Sequence, residues 1–204
     1  GAHTVSETNL PGYQAGNWGG DCTSNGSITL TLGQNATCTI TNNDIAPGIT
    51  VNKIVTNPYG TALPASSFPL FVDNTGVTNG VKNTGFAAGS HTVSETQQRG
   101  YARTAVSGDC TLNNDIITVL LNIGANYVCT ITNTAIQPKL IVKKHVINDN
   151  GGTKSAGNFT MTVSGNSQSV ANFAGNENGT EVGLNEGSYS VDELADSGYN
   201  KTLS

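Results

Sequence analysis

The strongest constraint on this chain is that it repeats itself. The segment Gly1–Thr8 (GAHTVSET) returns as Gly89–Thr96 (GSHTVSET), and a looser copy is Gly187–Leu194 (GSYSVDEL). Cys38–Asn42 (CTITN) returns unchanged as Cys129–Asn133. Ile49–Val55 (ITVNKIV) matches Leu140–Val146 (LIVKKHV), and Pro47, Phe68 and Val72 match Pro138, Phe159 and Val163. A spacing of about ninety residues marks a serial array of small folded units. Residues 1–45 are then the C-terminal half of one repeat, 46–136 a complete repeat and 137–204 the N-terminal part of a further one. Such a window is expected of a segment cut from a longer polymer. The joints, Asn43–Gly48 (NDIAPG) and Thr134–Pro138 (TAIQP), are short, so neighbouring units should sit close and bend little.

Within a repeat the pattern is β throughout. Short alternating runs of Val, Ile, Thr and Phe are separated by turn chemistry at Asn57–Gly60, Asn79–Gly80, Asp149–Gly152 and Asn178–Gly179. No stretch has helical periodicity with caps. The expected fold is all-β, a series of immunoglobulin-like or prealbumin-like sandwiches. Composition agrees: charged residues are 11% of the chain, against roughly 25% in an ordinary soluble domain. The net charge of −5 offers no basic patch for nucleic acid or an anionic membrane. No apolar run approaches the ~20 residues of a membrane span.

Side chains alternate between the faces of a strand, so parity can be read directly. Ile49, Val51, Lys53 and Val55 share a face, as do Leu140, Val142, Lys144 and Val146. His91, Val93 and Glu95 share another, matched by Tyr189, Val191 and Glu193. Cys129, Ile131 and Asn133 share a third, while Thr130 and Thr132 point away. Each repeat thus aims a Lys, a Glu and an Asn at its apolar interior. An ion in the interior loses several kcal/mol of hydration unless well paired. Desolvation drives a buried lysine toward its neutral, nucleophilic amine and a buried carboxyl toward its acid form. An amine beside an Asn amide, with an acid polarising the carbonyl, can form an isopeptide bond with loss of ammonia.

The V-x-K first strand, the V-S-E-T-x(3)-G-Y segment and the closing I-T-N strand resemble B-type repeats of collagen adhesins and SpaA-type domains of microbial surface proteins and pili. In the first copy Glu7–Tyr13 (ETNLPGY) is near the family's E-x(2)-P-G-Y form; the other copies lack the Pro before Gly-Tyr. The resemblance implies a prealbumin-like sandwich with an autocatalytic bond from Lys53 to Asn133, assisted by Glu95. Glu7 and Asn42 are the matching half-site of the first copy, and Lys144 and Glu193 that of the third. The alternative is a buried Lys53–Glu95 pair hydrogen-bonded to Asn133.

Four cysteines in two similar settings argue for disulfides and an oxidising compartment; four buried free thiols are the other reading. The repeat favours Cys22–Cys38 and Cys110–Cys129, since pairing across units would break the repeat geometry twice. His3 and His91 give way to Tyr189 in the third copy, a swap that aromatic packing tolerates and metal binding does not. No zinc spacing and no Ser/His/Asp or Cys/His constellation is evident, so no metal, cofactor or enzyme activity on a separate substrate is expected. The expected function is an extracellular stalk or fibre at the cell surface. Its partners are further repeats of the chain and other copies in a fibre. The competing class is an adhesin binding a glycan or a host or matrix protein through loops, where Tyr13, Trp18 and Tyr59 are the candidates.

Overall fold

Runs of alternating β-branched and polar residues form short strands in a computed structural model that describes residues 1–203. Ser204, the last residue of the third stretch, lies outside the described residues. The first stretch holds β1 (Ala2–Thr4), β2 (Tyr13–Ala15), β3 (Gly19–Gly20), β4 (Ser27–Thr29), β5 (Cys38–Thr39) and β6 (Asn42–Asp44). The central stretch holds β7 (Gly48–Thr56), β8 (Leu70–Val72), β9 (Thr75–Val77), β10 (Lys82–Asn83), β11 (Gly89–Glu95), β12 (Tyr101–Gly108), β13 (Thr111–Asn113), β14 (Ile116–Leu121) and β15 (Asn126–Ala135). The third holds β16 (Lys139–Val142), β17 (Thr160–Gly165), β18 (Asn172–Ala174), β19 (Thr180–Gly183) and β20 (Tyr189–Glu193). Two one-turn 3-10 segments, Ala65–Ser67 and Ala156–Asn158, are the helical elements among the described residues.

The chain packs as two compact units. One gathers Gly1–Ile54, Ala65–Gln97 and Arg103–Thr132; the other gathers Val55–Pro64, Gln98–Ala102 and the described residues from Asn133 on. The first unit is centred on two sheets of strand order β10-β7-β15-β12 and β13-β14-β11-β8-β9, with the ends of β7, β12 and β15 belonging to the second unit. Ile49 and Val51 of β7, Cys129 and Ile131 of β15, Leu70 and Val72 of β8, Val93 of β11 and Ile117, Val119 and Leu121 of β14 form one apolar core. Burying each such aliphatic side chain contributes about 1.5–3 kcal/mol. The first stretch adds only two-stranded ribbons, β1-β4, β2-β6 and β3-β5, and the sole apolar side chain it buries is Cys22.

The second unit has its own smaller core of Val142, Met161, Val163, Val182 and Leu184, built on β16-β19 and β18-β17-β20. Parity persists beyond β16, since Lys144 and Val146 are half-buried while Lys143 and His145 are exposed. The regular strand nevertheless stops at Val142, whereas β7 runs on to Thr56. In the sheets, β7 is flanked on both sides by β10 and β15, and β16 pairs with β19 alone. A second partner completes the backbone hydrogen bonding that extends β7.

Cys22 joins Cys38 and Cys110 joins Cys129, with Cα separations of 5.1 and 5.2 Å. The Gly-Asp-Cys motif explains how each bond is positioned. Gly20 and Gly108 adopt φ of 71° and 85°. A Cβ there would come within 2.2 Å of the Thr37 carbonyl oxygen and 2.1 Å of that of Val128, so only glycine fits. The next residue grips the opposite strand twice. Asp21 N–H donates to Thr37 O and its carboxylate accepts Thr37 N–H, at 2.8 and 2.7 Å. Asp109 does the same to Val128, at 2.7 Å in both directions. The cysteine that follows is thereby held beside its partner.

Candidate functional site

Lys53 is carried inward by β7 on the same parity as Ile49 and Val51, and its backbone N–H is tied to Asn79 Oδ1 at 2.7 Å. Its Nζ lies 2.9 Å from Glu95 Oε2, donates to Ile131 O at 3.3 Å and sits 4.8 Å from the centre of the Phe68 ring. The two charged side chains are 0% and 1% exposed. The amine therefore has almost no water. Burial pushes the Lys53 pKa below 10.5, opposed by the adjacent Glu95 carboxylate and helped by the positive charge of Arg103.

Two features of this site stand out against ordinary buried polar groups, which are nearly always satisfied. Neither Glu95 oxygen has a well-aligned hydrogen bond: Oε2 is near the amine in distance but not in angle. Asn133 is 0% exposed, and neither its Oδ1 nor its Nδ2 has any hydrogen-bond partner. It follows Ile131 on the buried face of β15, two residues beyond the carbonyl that Lys53 reaches. Leaving such an amide unpaired costs about 1–3 kcal/mol.

The other copies hold parts of the same set. Lys144 Nζ lies 2.8 Å from Glu193 Oε2 and 4.4 Å from the centre of Phe159, with side chains 15% and 7% exposed. In the first stretch Asn42 Nδ2 donates to Glu7 Oε2 at 3.1 Å on an exposed surface. Sequence reasoning missed the phenylalanine under each lysine, although the recurrence of Phe68 at Phe159 was the available signal.

The histidine position does more than pack. His91 meets the edge of Phe86, and its ring nitrogens contact Asp73 Oδ2 at 2.5 Å and Ala87 O at 2.9 Å. The replacing Tyr189 uses its hydroxyl on backbone groups of Ser167 and Asn185. Of the loop aromatics, Trp18 borders Gly26 and Tyr13 is exposed, while the backbone carbonyl of Tyr59 accepts the N–H of Glu186. Among the described residues no group of three or more His, Cys, Asp or Glu side chains is placed to hold a metal. No helix among them is long and apolar enough to cross a membrane.

A family model described as a prealbumin-like fold domain of the SpaA type matches residues 1–40, 44–131 and 137–203. No curated protein and no solved structure matches the chain. The matched segments cover nearly all of a chain whose regular structure is β-sheet, and the chain belongs to the SpaA-type prealbumin-like fold domain family.

Proposed function

We propose that the protein is a structural element of an extracellular stalk or fibre, built from serial β-sandwich repeats that are tied internally by covalent bonds. The observation that carries this reading is the fully buried Asn133 amide with no hydrogen-bond partner, on the strand that the desolvated Lys53 amine reaches. A buried amide with no partner and a buried ion pair shut off from water make little sense as an end state. They make sense as reactants. Neutral Lys53 Nζ attacks Asn133 Cγ, the new Cγ–Nζ amide forms and the Cγ–Nδ2 bond breaks. Glu95 carries a proton from Nζ to Nδ2, and ammonia leaves. The product removes the buried charge and ties β7 to β15, strands far apart in sequence.

Further support comes from the family match in separate segments and from both disulfides, which suit an oxidising exterior. Membership of a family of pilus and surface-protein domains points the same way. The partners are further repeats of the chain and other copies in the fibre. The role is passive: cross-links keep strands from being peeled apart by force or opened to proteases. The intact mass of residues 1–204 with cysteines reduced tests the bond. A deficit of one ammonia is expected, lost in Lys53→Ala and in Asn133→Ala. An unmodified mass in the parent chain refutes it.

A further inference from the structure

Two segments of the central repeat, Val55–Pro64 and Gln98–Ala102, pack in the compact unit formed by the residues from Asn133 on. The first holds the end of β7 and the loop after it, and hydrogen bonds within the central repeat hold that loop in shape. Tyr101, from the Gly-Tyr element, accepts the Leu63 N–H on its hydroxyl at 3.0 Å. Asn57 closes the loop on itself: its Oδ1 accepts Tyr59 N–H at 2.9 Å and its Nδ2 donates to Thr61 O at 3.1 Å.

Into this loop fits the turn before β20. Glu186 Oε1 accepts a hydrogen bond from Asn57 Nδ2 at 3.1 Å, and Oε2 accepts Thr61 N–H at 3.2 Å. Its backbone N–H donates to Tyr59 O at 2.6 Å. A Cβ on Gly60 would lie 2.1 Å from Glu186 Oε2, so the carboxylate needs bare backbone there. Side-chain, backbone and steric fit all converge on one carboxylate.

We propose that residues 57–61 are a docking cradle for a carboxylate-bearing turn of the following repeat, and that this contact selects which repeat follows which. The selectivity lies in Glu186. The matching position of the central repeat, just before the Gly-Ser-His strand, is Ala88, which has no carboxylate to offer a preceding loop. The cradle is independent of the internal cross-link, since none of its residues belongs to the lysine site.

Amide hydrogen exchange on the 204-residue chain tests it, comparing the parent with Glu186→Gln, Glu186→Ala and Gly60→Ala. The Thr61 amide is expected to be protected in the parent. Its protection should fall on the order of tenfold or more in Glu186→Ala, the scale of one charge-assisted hydrogen bond. A smaller loss is expected in Glu186→Gln, whose amide oxygen still accepts. Gly60→Ala should reproduce the loss while leaving the carboxylate in place. The Val163 and Val182 amides serve as reporters that the third repeat stays folded. Equal Thr61 exchange in the parent and in Gly60→Ala, with those reporters unchanged, would overturn the proposal.

Discussion

The lysine sites of the central and third stretches use the same residues at the same parity, yet they differ in how dry they are. Lys53 and Glu95 are sealed, at 0% and 1% exposed, whereas Lys144 and Glu193 keep 15% and 7%. Ion-pair distances are nearly equal, 2.9 and 2.8 Å, and each amine stands against a phenylalanine ring. What differs is the neighbouring strand. Beside β7 runs β15, which gives Ile131 O to the amine, while β16 has only β19. The pair itself is assembled by the first and middle strands. Its desolvation, on which the reactivity of the amine depends, comes from the closing strand. The exposed Glu7–Asn42 contact makes the complementary point, because without a lysine and a sandwich core around them the same two residue types form an ordinary surface hydrogen bond.

The sharpest way to break this comparison is to remove each lysine in turn. In the Asn133→Ala background, where the amine stays free, Lys53→Ala leaves Glu95 buried and uncompensated, a change that costs about 3–5 kcal/mol. Lys144→Ala, at a wetter pair, should cost less than half as much. Denaturant unfolding of both variants reads the difference, and equal losses would mean that the closing strand does not set the environment. Next in size is the disulfide. Replacing Cys110 and Cys129 together by Ser opens a loop of sequence separation 19 and should destabilise the central repeat by about 3 kcal/mol in the chain-entropy account. It should leave the melting of the third repeat, which has no cysteine, where it was.

The smallest expected effect is a pH dependence. In Asn133→Ala the amine stays free, with a folded pKa below 10.5 because it is buried. Between that folded value and 10.5 the unfolded chain binds more protons than the folded chain, so stability rises with pH across the window. Below it the cost of holding a charged, buried amine is present in full. Measuring stability from neutral pH to about 10.5 in Asn133→Ala and in the double variant Lys53→Met/Asn133→Ala isolates the lysine. A difference between the two that stays flat with pH would contradict a desolvated Lys53.

Much of the site was legible in the sequence, for a physical reason. Strand parity has a period of two, so a Lys, Glu or Asn in phase with Val and Ile had to face the interior. Lys53, Glu95 and Asn133 follow that rule in the structure. The hairpin turns were less legible. Asp73–Asn74 and Asn114–Asp115 adopt positive φ, from 46° to 67°, between adjacent strands, and only the tolerance of Asn and Asp for that region marked them. The Glu186 cradle carried no local signal at all, because its parts come from segments far apart in the chain.

By itself, then, the sequence determined the β class and the inward direction of Lys53 and Lys144, since both depend on local periodicity. Tertiary structure decided how completely Lys53 and Glu95 lose their water and which backbone carbonyl the amine meets. Those outcomes depend on which strand lies alongside, and strand neighbours are set by contacts between distant segments.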